Sequence, residues 1–158
     1  MTETVNNLCY ICSPYRGEVE RNKKYARELT RLALDNGFCP VTVHLYLTEV
    51  TDDNIPEERR LGMDAGMEIL KNCKYILIGG RHGISEGMKA EIKTAIGMGK
   101  IMLMPGNKGE ISADVNIVEL AKCAEEAGRE LIIRRPGCGR IARPASGPGG
   151  RAADIARP

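Results

Sequence analysis

The sequence has no tryptophan and one phenylalanine, and aromatic residues make up only 4% of it. A surface that reads single-stranded nucleic acid by stacking bases on aromatic rings is therefore a poor fit. No apolar run approaches the roughly 20 residues that a membrane-spanning helix requires, and the N-terminal residues lack the pattern of a secretory signal. A cytoplasmic protein with no membrane association is the expectation. No set of His, Cys, Asp and Glu residues has the spacing of a metal site, so neither a metal nor a cofactor is expected.

A dominant charge is also missing. The net charge of +2 hides a division, because six arginines (134, 135, 140, 143, 151, 157) stand against one acid, Asp154, from residue 134 onward. Setting these aside leaves 23 − 6 = 17 basic and 21 − 1 = 20 acidic residues, so the body is near −3. The body has no electrostatic footprint for nucleic acid, which is not the expected partner. Six cysteines (9, 12, 39, 73, 123, 138) are scattered, without a disulfide framework. Cys9 and Cys12 form a CxxC, but Leu8-Cys9-Tyr10-Ile11-Cys12 reads as a buried strand. Residues three apart in a strand point to opposite faces, which suits neither a redox pair nor a zinc site. They read as small core hydrophobes.

What is present is a regular alternation. At 158 residues the chain can bury one core, with about two-thirds of the unfolded surface removed from water. A first strand over Asn7–Cys12 leads through the turn Ser13–Gly17 to a helix over Val19–Asp35, with Gly37 as its stop. A second strand is expected over Cys39–Leu47, then a polar loop to Ile55 containing Asp52 and Asp53. Pro56, Glu57 and Glu58 suit the first turn of a helix running to about Asn72 through Leu61, Ala65, Ile69 and Leu70. A third strand spans Lys74–Ile78, a helix Ser85–Met98 with Ser85 as N-cap, and a fourth strand Lys100–Met104. A helix over Asp114–Ala127 and a strand over Glu130–Ile133 complete the pattern.

Strands and helices in alternation predict an α/β, flavodoxin/Rossmann-like three-layer sandwich. A five-stranded parallel sheet of order 2-1-3-4-5 is expected. Residues 1–135 form its single domain. Residues 136–158, rich in Gly, Pro and Arg, lack the apolar periodicity that repays ordering and are expected to be a disordered tail.

In such a sheet the loops after the first and third strands flank the switch point and line one crevice. The stretch Gly79–Lys100, GGRHGISEGMKAEIKTAIGMGK, supplies one wall and a carboxylate, Glu91. Tyr10, Ser13, Tyr15 and Arg16 come from the first strand and its loop, His44 from the second strand, and Asp64 from the following helix. Ser85, Glu86 and Gly87 come from the last loop, and together these side chains could surround a sugar or a nucleobase. Each has a plainer reading beside the functional one. Glu91 and Asp64 could face solvent, Tyr10 and His44 could be satisfied core residues, and Arg16 a surface arginine.

Gly87-Met88-Lys89-Ala90-Glu91-Ile92, followed by a small-residue helix ending Gly99-Lys100-Ile101, resembles the nucleoside 2-deoxyribosyltransferase family. YICSPYRG, PVTVHLY and SEGMKAEI resemble an uncharacterised bacterial and phage branch of that superfamily, and the similarity spans about residues 7–105. The resemblance implies Glu91 as nucleophile, Tyr10 as the residue orienting it, and Asp64 as the acid that handles the nucleobase. Ser13, Tyr15, Arg16, His44, Ser85, Glu86 and Gly87 would bind substrate. It further implies a small-molecule nucleoside or nucleotide partner and a homo-oligomer. Mechanistically, a carboxylate displaces the base from the anomeric carbon, and a second base or water then removes the sugar from the covalent intermediate.

Two departures accompany the resemblance. Ser85 stands where the transferases carry an aspartate, and nothing in PGCGRIARPASGPGG matches the C-terminal residues with which the family completes a neighbouring subunit's site. The alternative expectation is a nucleotide-binding or sensing module of the same fold without chemistry. A lysine-decarboxylase-like glycosidase is a third, its motif half matched by Gly79-Gly80-Arg81-His82-Gly83.

Overall fold

A computed structural model describes residues 6–106 and 108–112. Its centre is β1 (Leu8–Cys12), buried on both faces from Cys9 onward, as a continuous apolar run in a parallel sheet should be. β1 pairs in parallel with β2 (Cys39–Val41) on one side and β3 (Tyr75–Ile78) on the other. β3 in turn pairs in parallel with β4 (Ile101–Pro105), giving the expected order 2-1-3-4.

Helices cover both faces. α1 (Val19–Asp35) buries Tyr25, Ala26, Leu29 and Ala33, one stripe at helical spacing, against Cys9, Ile11, Leu77 and Leu103. Gly37, at φ 83°, follows this helix as its stop. On the opposite face α3 (Pro56–Asn72) and α4 (Glu86–Gly97) pack Leu70, Met88, Ile92 and Ala95 against Tyr10, Cys12, Ile76 and Ile78. The period-2 alternation of β1 thus separates its CxxC, placing Cys9 in one core and Cys12 in the other. Both are free and buried, and burial pushes the Cys9 thiol up to about 12.

Three expectations are corrected here. The second strand ends at Val41, and the chain turns into a 3₁₀ turn (Val43–Leu45) and a short helix α2 (Leu47–Val50). The β-branched run Val41-Thr42-Val43 invites a longer strand, but Thr42 is tied instead to α1, its hydroxyl 2.6 Å from that of Thr30. The sheet is not five parallel strands: four are parallel, and the fifth neighbour is the two-residue antiparallel β5 (Ile111–Ser112) on the β4 edge. Leu61, expected on the buried stripe of α3, is 65% exposed. The expected helix over Asp114–Ala127, strand over Glu130–Ile133 and tail over 136–158 lie outside the described residues.

Candidate active site

Tyr10 of β1, the loop after β1 and the start of α4, which follows β3, face a cavity of about 260 Å³ on the α3/α4 side of the sheet. This is the crevice that a switch point between strands 1 and 3 creates. Its floor is a hydrogen bond. Tyr10 Oη donates to Glu91 Oε1 at 2.8 Å, joining the middle of β1 to the second turn of α4 across 81 residues of sequence. Tyr10 is fully buried, and Gly66 of α3 lies against its hydroxyl: a Cβ there would sit 3.3 Å from the oxygen. Gly62 lines the same cavity one turn earlier. Glycine in a helix interior costs about 1 kcal/mol relative to alanine, and close approach at Gly66 gives the reason.

Burial drives Glu91 above the ordinary carboxylate range, while the Tyr10 hydrogen bond and the neighbouring Cys12 thiol pull it back. Tyr10 is raised in turn, first by burial and then by the neighbouring carboxylate, so it remains a neutral donor. Glu91 Oε2, the second carboxylate oxygen, is buried without a partner among the described residues, and so is Ser13 Oγ. Unsatisfied buried oxygens of this kind cost about 1–3 kcal/mol each unless a ligand or water meets them. Both residues line the cavity, with these two oxygens covered from solvent just beneath its surface.

The remaining walls come from the loops. Asn22, buried in α1, donates to the carbonyls of Tyr15 and Arg16 at 3.0 Å each and so fixes the loop after β1. Tyr15 stacks on His44 with ring centroids 5.6 Å apart and planes 18° apart. Burial lowers His44, opposed by Asp53 and by its bond to the Ser13 backbone. Arg16 Nε donates to Asp53 Oδ2 at 2.8 Å, and Nη2 to the Asp53 carbonyl at 3.0 Å, closing the first loop against the segment before α3. Ser85 caps α4, its Oγ accepting from Met88 N at 3.3 Å, and Glu86 and Gly87 line the cavity beside it. A wider, open groove of about 650 Å³ continues outward past Tyr15, Arg16 and Asp53.

Nine of the ten residues expected at the site therefore line one cavity: Tyr10, Ser13, Tyr15, Arg16, His44, Ser85, Glu86, Gly87 and Glu91. Asp64 does not. It is exposed on α3, whose cavity face is Arg59, Gly62, Met63, Gly66 and Met67. One residue on from Met63 is about 100° around the helix, enough to turn Asp64 outward. Sequence reasoning missed Cys12, Asp53, Arg59 and Gly66 as members of the site. Gly62 and Gly66, four apart within a helix, were the signal that could have found the cavity face of α3. His44 is expected at a strand end and lies instead in the 3₁₀ turn. Arg81, in the turn after β3, is held on the opposite side by Glu28 at 2.7 Å and the Tyr25 ring at 4.6 Å. No group of three His, Cys, Asp or Glu among the described residues could hold a metal ion.

Residues 7–103 match the family described as Domain of unknown function (DUF7768). The chain belongs to that family. The matched residues run from β1 to β4, so the DUF7768 domain contains every residue of the cavity just described. No curated protein matches the chain. Among solved structures the domain is similar to a 2-deoxyribosyltransferase from the psychrotolerant bacterium Bacillus psychrosaccharolyticus, with 16% identity and a TM-score of 0.53. The likeness covers 70% of this chain and 78% of that one, and at this identity it carries the fold alone. No described helix is long and apolar enough to cross a membrane.

Proposed function

We propose that this domain acts on the N-glycosidic bond of (deoxy)nucleosides or their monophosphates, with Glu91 as the nucleophile. The observation that carries this reading is the buried carboxylate of Glu91, bonded through one oxygen to Tyr10 Oη at 2.8 Å and unpartnered at the other. A nucleophile needs one face fixed and one lone pair unspent, and this pair supplies both. The free oxygen of Glu91 forms a bond to the anomeric carbon as the bond from that carbon to the base nitrogen breaks. The base leaves with the electron pair and takes up a proton. A second base or water then attacks the anomeric carbon, releases the carboxylate and restores the original configuration.

Burial helps and hinders at once. It strips the carboxylate of water, which strengthens attack, but also favours its protonated form. The Tyr10 hydroxyl and the Cys12 thiol offset that cost by favouring the charged state. The expected general acid, Asp64, is exposed and off the cavity lining, so in this reading its duty passes to a group that faces the cavity. His44, which lines the cavity, is the group there that can pass a proton to the departing base. The Tyr15–His44 stack offers a planar face for the base, and Glu86 and the Gly87 backbone border the sugar. A homo-oligomer belongs to the same reading; Val50, Leu61 and Met63 on α2 and α3 are exposed apolar side chains that a second copy would cover.

The test is to incubate the full chain with a panel of deoxynucleosides and their monophosphates, with and without an acceptor base, and follow free base by chromatography. Base release by the protein and not by its Glu91→Gln variant is the expected result; no release across the panel contradicts the reading. A second reading, nucleotide binding without turnover, is favoured by one observation: Ser85, standing where the transferases carry an aspartate, spends its hydroxyl on capping α4. It expects ligand-dependent thermal stabilisation of both proteins with no product.

A further inference from the structure

Of the two arginines that line the cavity, Arg16 is paired and the Arg59 side chain has no partner among the described residues. Three acids face it, Asp53, Glu86 and Glu91. Asp53 is engaged by Arg16 at 2.8 Å, Glu86 by Lys89 at 2.7 Å, and Glu91 by Tyr10 at 2.8 Å. Arg59, partly buried on the cavity face of α3, makes no side-chain hydrogen bond or ion pair among the described residues. The nearest acid in sequence does not take it up, since Glu58 Oε2 accepts from the Asp52 backbone N–H at 2.6 Å. A guanidinium held against a cavity wall with its donors unspent suits an anion that presents two oxygens side by side, as phosphate does.

Its place along the helix says which part of a ligand it would meet. Arg59, Gly62, Gly66 and their neighbours Met63 and Met67 form one face of α3, and Gly66 lies against the hydroxyl that holds Glu91. Arg59 is seven residues before Gly66, about 10 Å along the helix axis. A ligand with its anomeric carbon at Glu91 has its base and its 5′ substituent as the two ends that can extend away. The Tyr15–His44 stack takes a flat ring, whereas Arg59 takes an anion. The outer groove is the weaker candidate for that anion, because four acids, Glu49, Asp52, Asp53 and Glu58, line it against one cation, Arg16, which Asp53 already engages.

We propose that Arg59 reads a 5′-phosphate, so that the substrate class is the nucleoside 5′-monophosphate rather than the free nucleoside. This rests on the reading of Glu91 as the group that meets the anomeric carbon. Arg59 thereby sets specificity, and the uncharged nucleoside leaves it unpaired at the cavity wall.

The test is calorimetric titration of the full chain carrying Glu91→Gln, which blocks turnover, with the four deoxynucleosides, their 5′-monophosphates and inorganic phosphate. A monophosphate is expected to bind about 10- to 100-fold more tightly than its own nucleoside, the range of a charge-assisted bidentate contact. Adding Arg59→Ala, or Arg59→Gln should the first not fold by circular dichroism, is expected to bring that ratio to about one. Inorganic phosphate alone is expected to bind far more weakly than the monophosphate. Equal affinity for a nucleoside and its monophosphate, or a ratio that survives the Arg59 substitutions, overturns the phosphate assignment and leaves the nucleoside reading standing. Phosphate binding as tightly as the monophosphates also overturns it, as an anion site unrelated to nucleotides. If no nucleoside or monophosphate binds at all, both readings fall.

Discussion

The two faces of the sheet are built from the same strands and do different work. On the α1 face, β1 contributes Cys9 and Ile11 to an apolar core with Tyr25, Leu29, Leu77 and Leu103, and the buried polar Asn22 lies near the start of α1, by the loop after β1. Gly79 at the end of β3 is pressed so closely on this face that a Cβ would lie 2.3 Å from Leu29 Cδ1. The loop beyond it is fastened to α1 through Arg81, Glu28 and Tyr25. On the α3/α4 face, the alternate residues of β1 are Tyr10 and Cys12, and their core carries a carboxylate at one end. One face thus spends its burial on stability. The other accepts the desolvation of Glu91 and two unpartnered oxygens, which is the signature of a site kept for a ligand.

Substitutions on the two faces should therefore separate activity from stability. The largest effect is expected from Glu91→Gln, which keeps the shape and the hydrogen bond from Tyr10 but removes the nucleophile. Base release should fall by at least about 10³-fold. Its stability should move the other way. Glu91 is raised in the folded state, so its contribution to stability is fully present below the ordinary carboxylate range and is lost as pH rises through the folded value. The Gln variant should accordingly melt higher than the parent at neutral pH, with the gap closing below pH 4.5, as thermal denaturation across pH would show.

Tyr10→Phe comes next, with a loss of about 10- to 100-fold in base release, because it removes the 2.8 Å bond and leaves Glu91 Oε1 without it. Without that donor the folded Glu91 should rise further, so the acid limb of the pH–rate profile should move to higher pH. An unmoved limb would mean that Tyr10 does not act on the carboxylate.

The glycines give the sharpest contrast between faces. Gly79→Ala should cost about 1–3 kcal/mol by overpacking Leu29 and Tyr25, while activity per folded molecule is kept. Gly66→Ala should be close to neutral, its gain in helix propensity offset by crowding of the Tyr10 hydroxyl. Its Cβ, 3.3 Å from the Tyr10 hydroxyl, should still lower base release by about tenfold. Chemical denaturation alongside turnover reads both; the reverse pattern would break the comparison. The smallest effect is expected from Arg81→Ala. Its ion pair with Glu28 is half-exposed on both sides, so the loss should be at most about 1 kcal/mol, with turnover unchanged.

Much of this was legible in the sequence, for reasons that differ by element. Helix α1 was readable to its ends because Tyr25, Ala26, Leu29 and Ala33 recur at helical spacing and Gly37 stops them. The order 2-1-3-4 followed from the handedness of parallel crossovers, which leaves few alternatives. Tyr10 and Glu91 were found by a motif, and the fold brings them within hydrogen-bond distance. What escaped depended on tertiary packing. The Val41–Val43 run has strand propensity, yet contacts with α1 turn it into the 3₁₀ segment that carries His44 to Tyr15. On α3 the apolar residues Leu61 and Met63 lie on both sides of the helix surface, so the pattern did not reveal which face meets the cavity. Asp64 entered the site through the resemblance alone, and the pattern on α3 offered nothing to check it against. Arg59 and Asp53, one residue type apart from dozens of surface charges, acquire meaning only once the loops close.

The most direct test of the central claim is intact-mass spectrometry of acid-quenched protein during turnover, followed by peptide mapping. The account predicts a mass increase equal to one sugar, or one sugar phosphate, located on the peptide containing Glu91 and absent from Glu91→Gln. Base release at full rate by Glu91→Gln, or an adduct on any other residue, would contradict it.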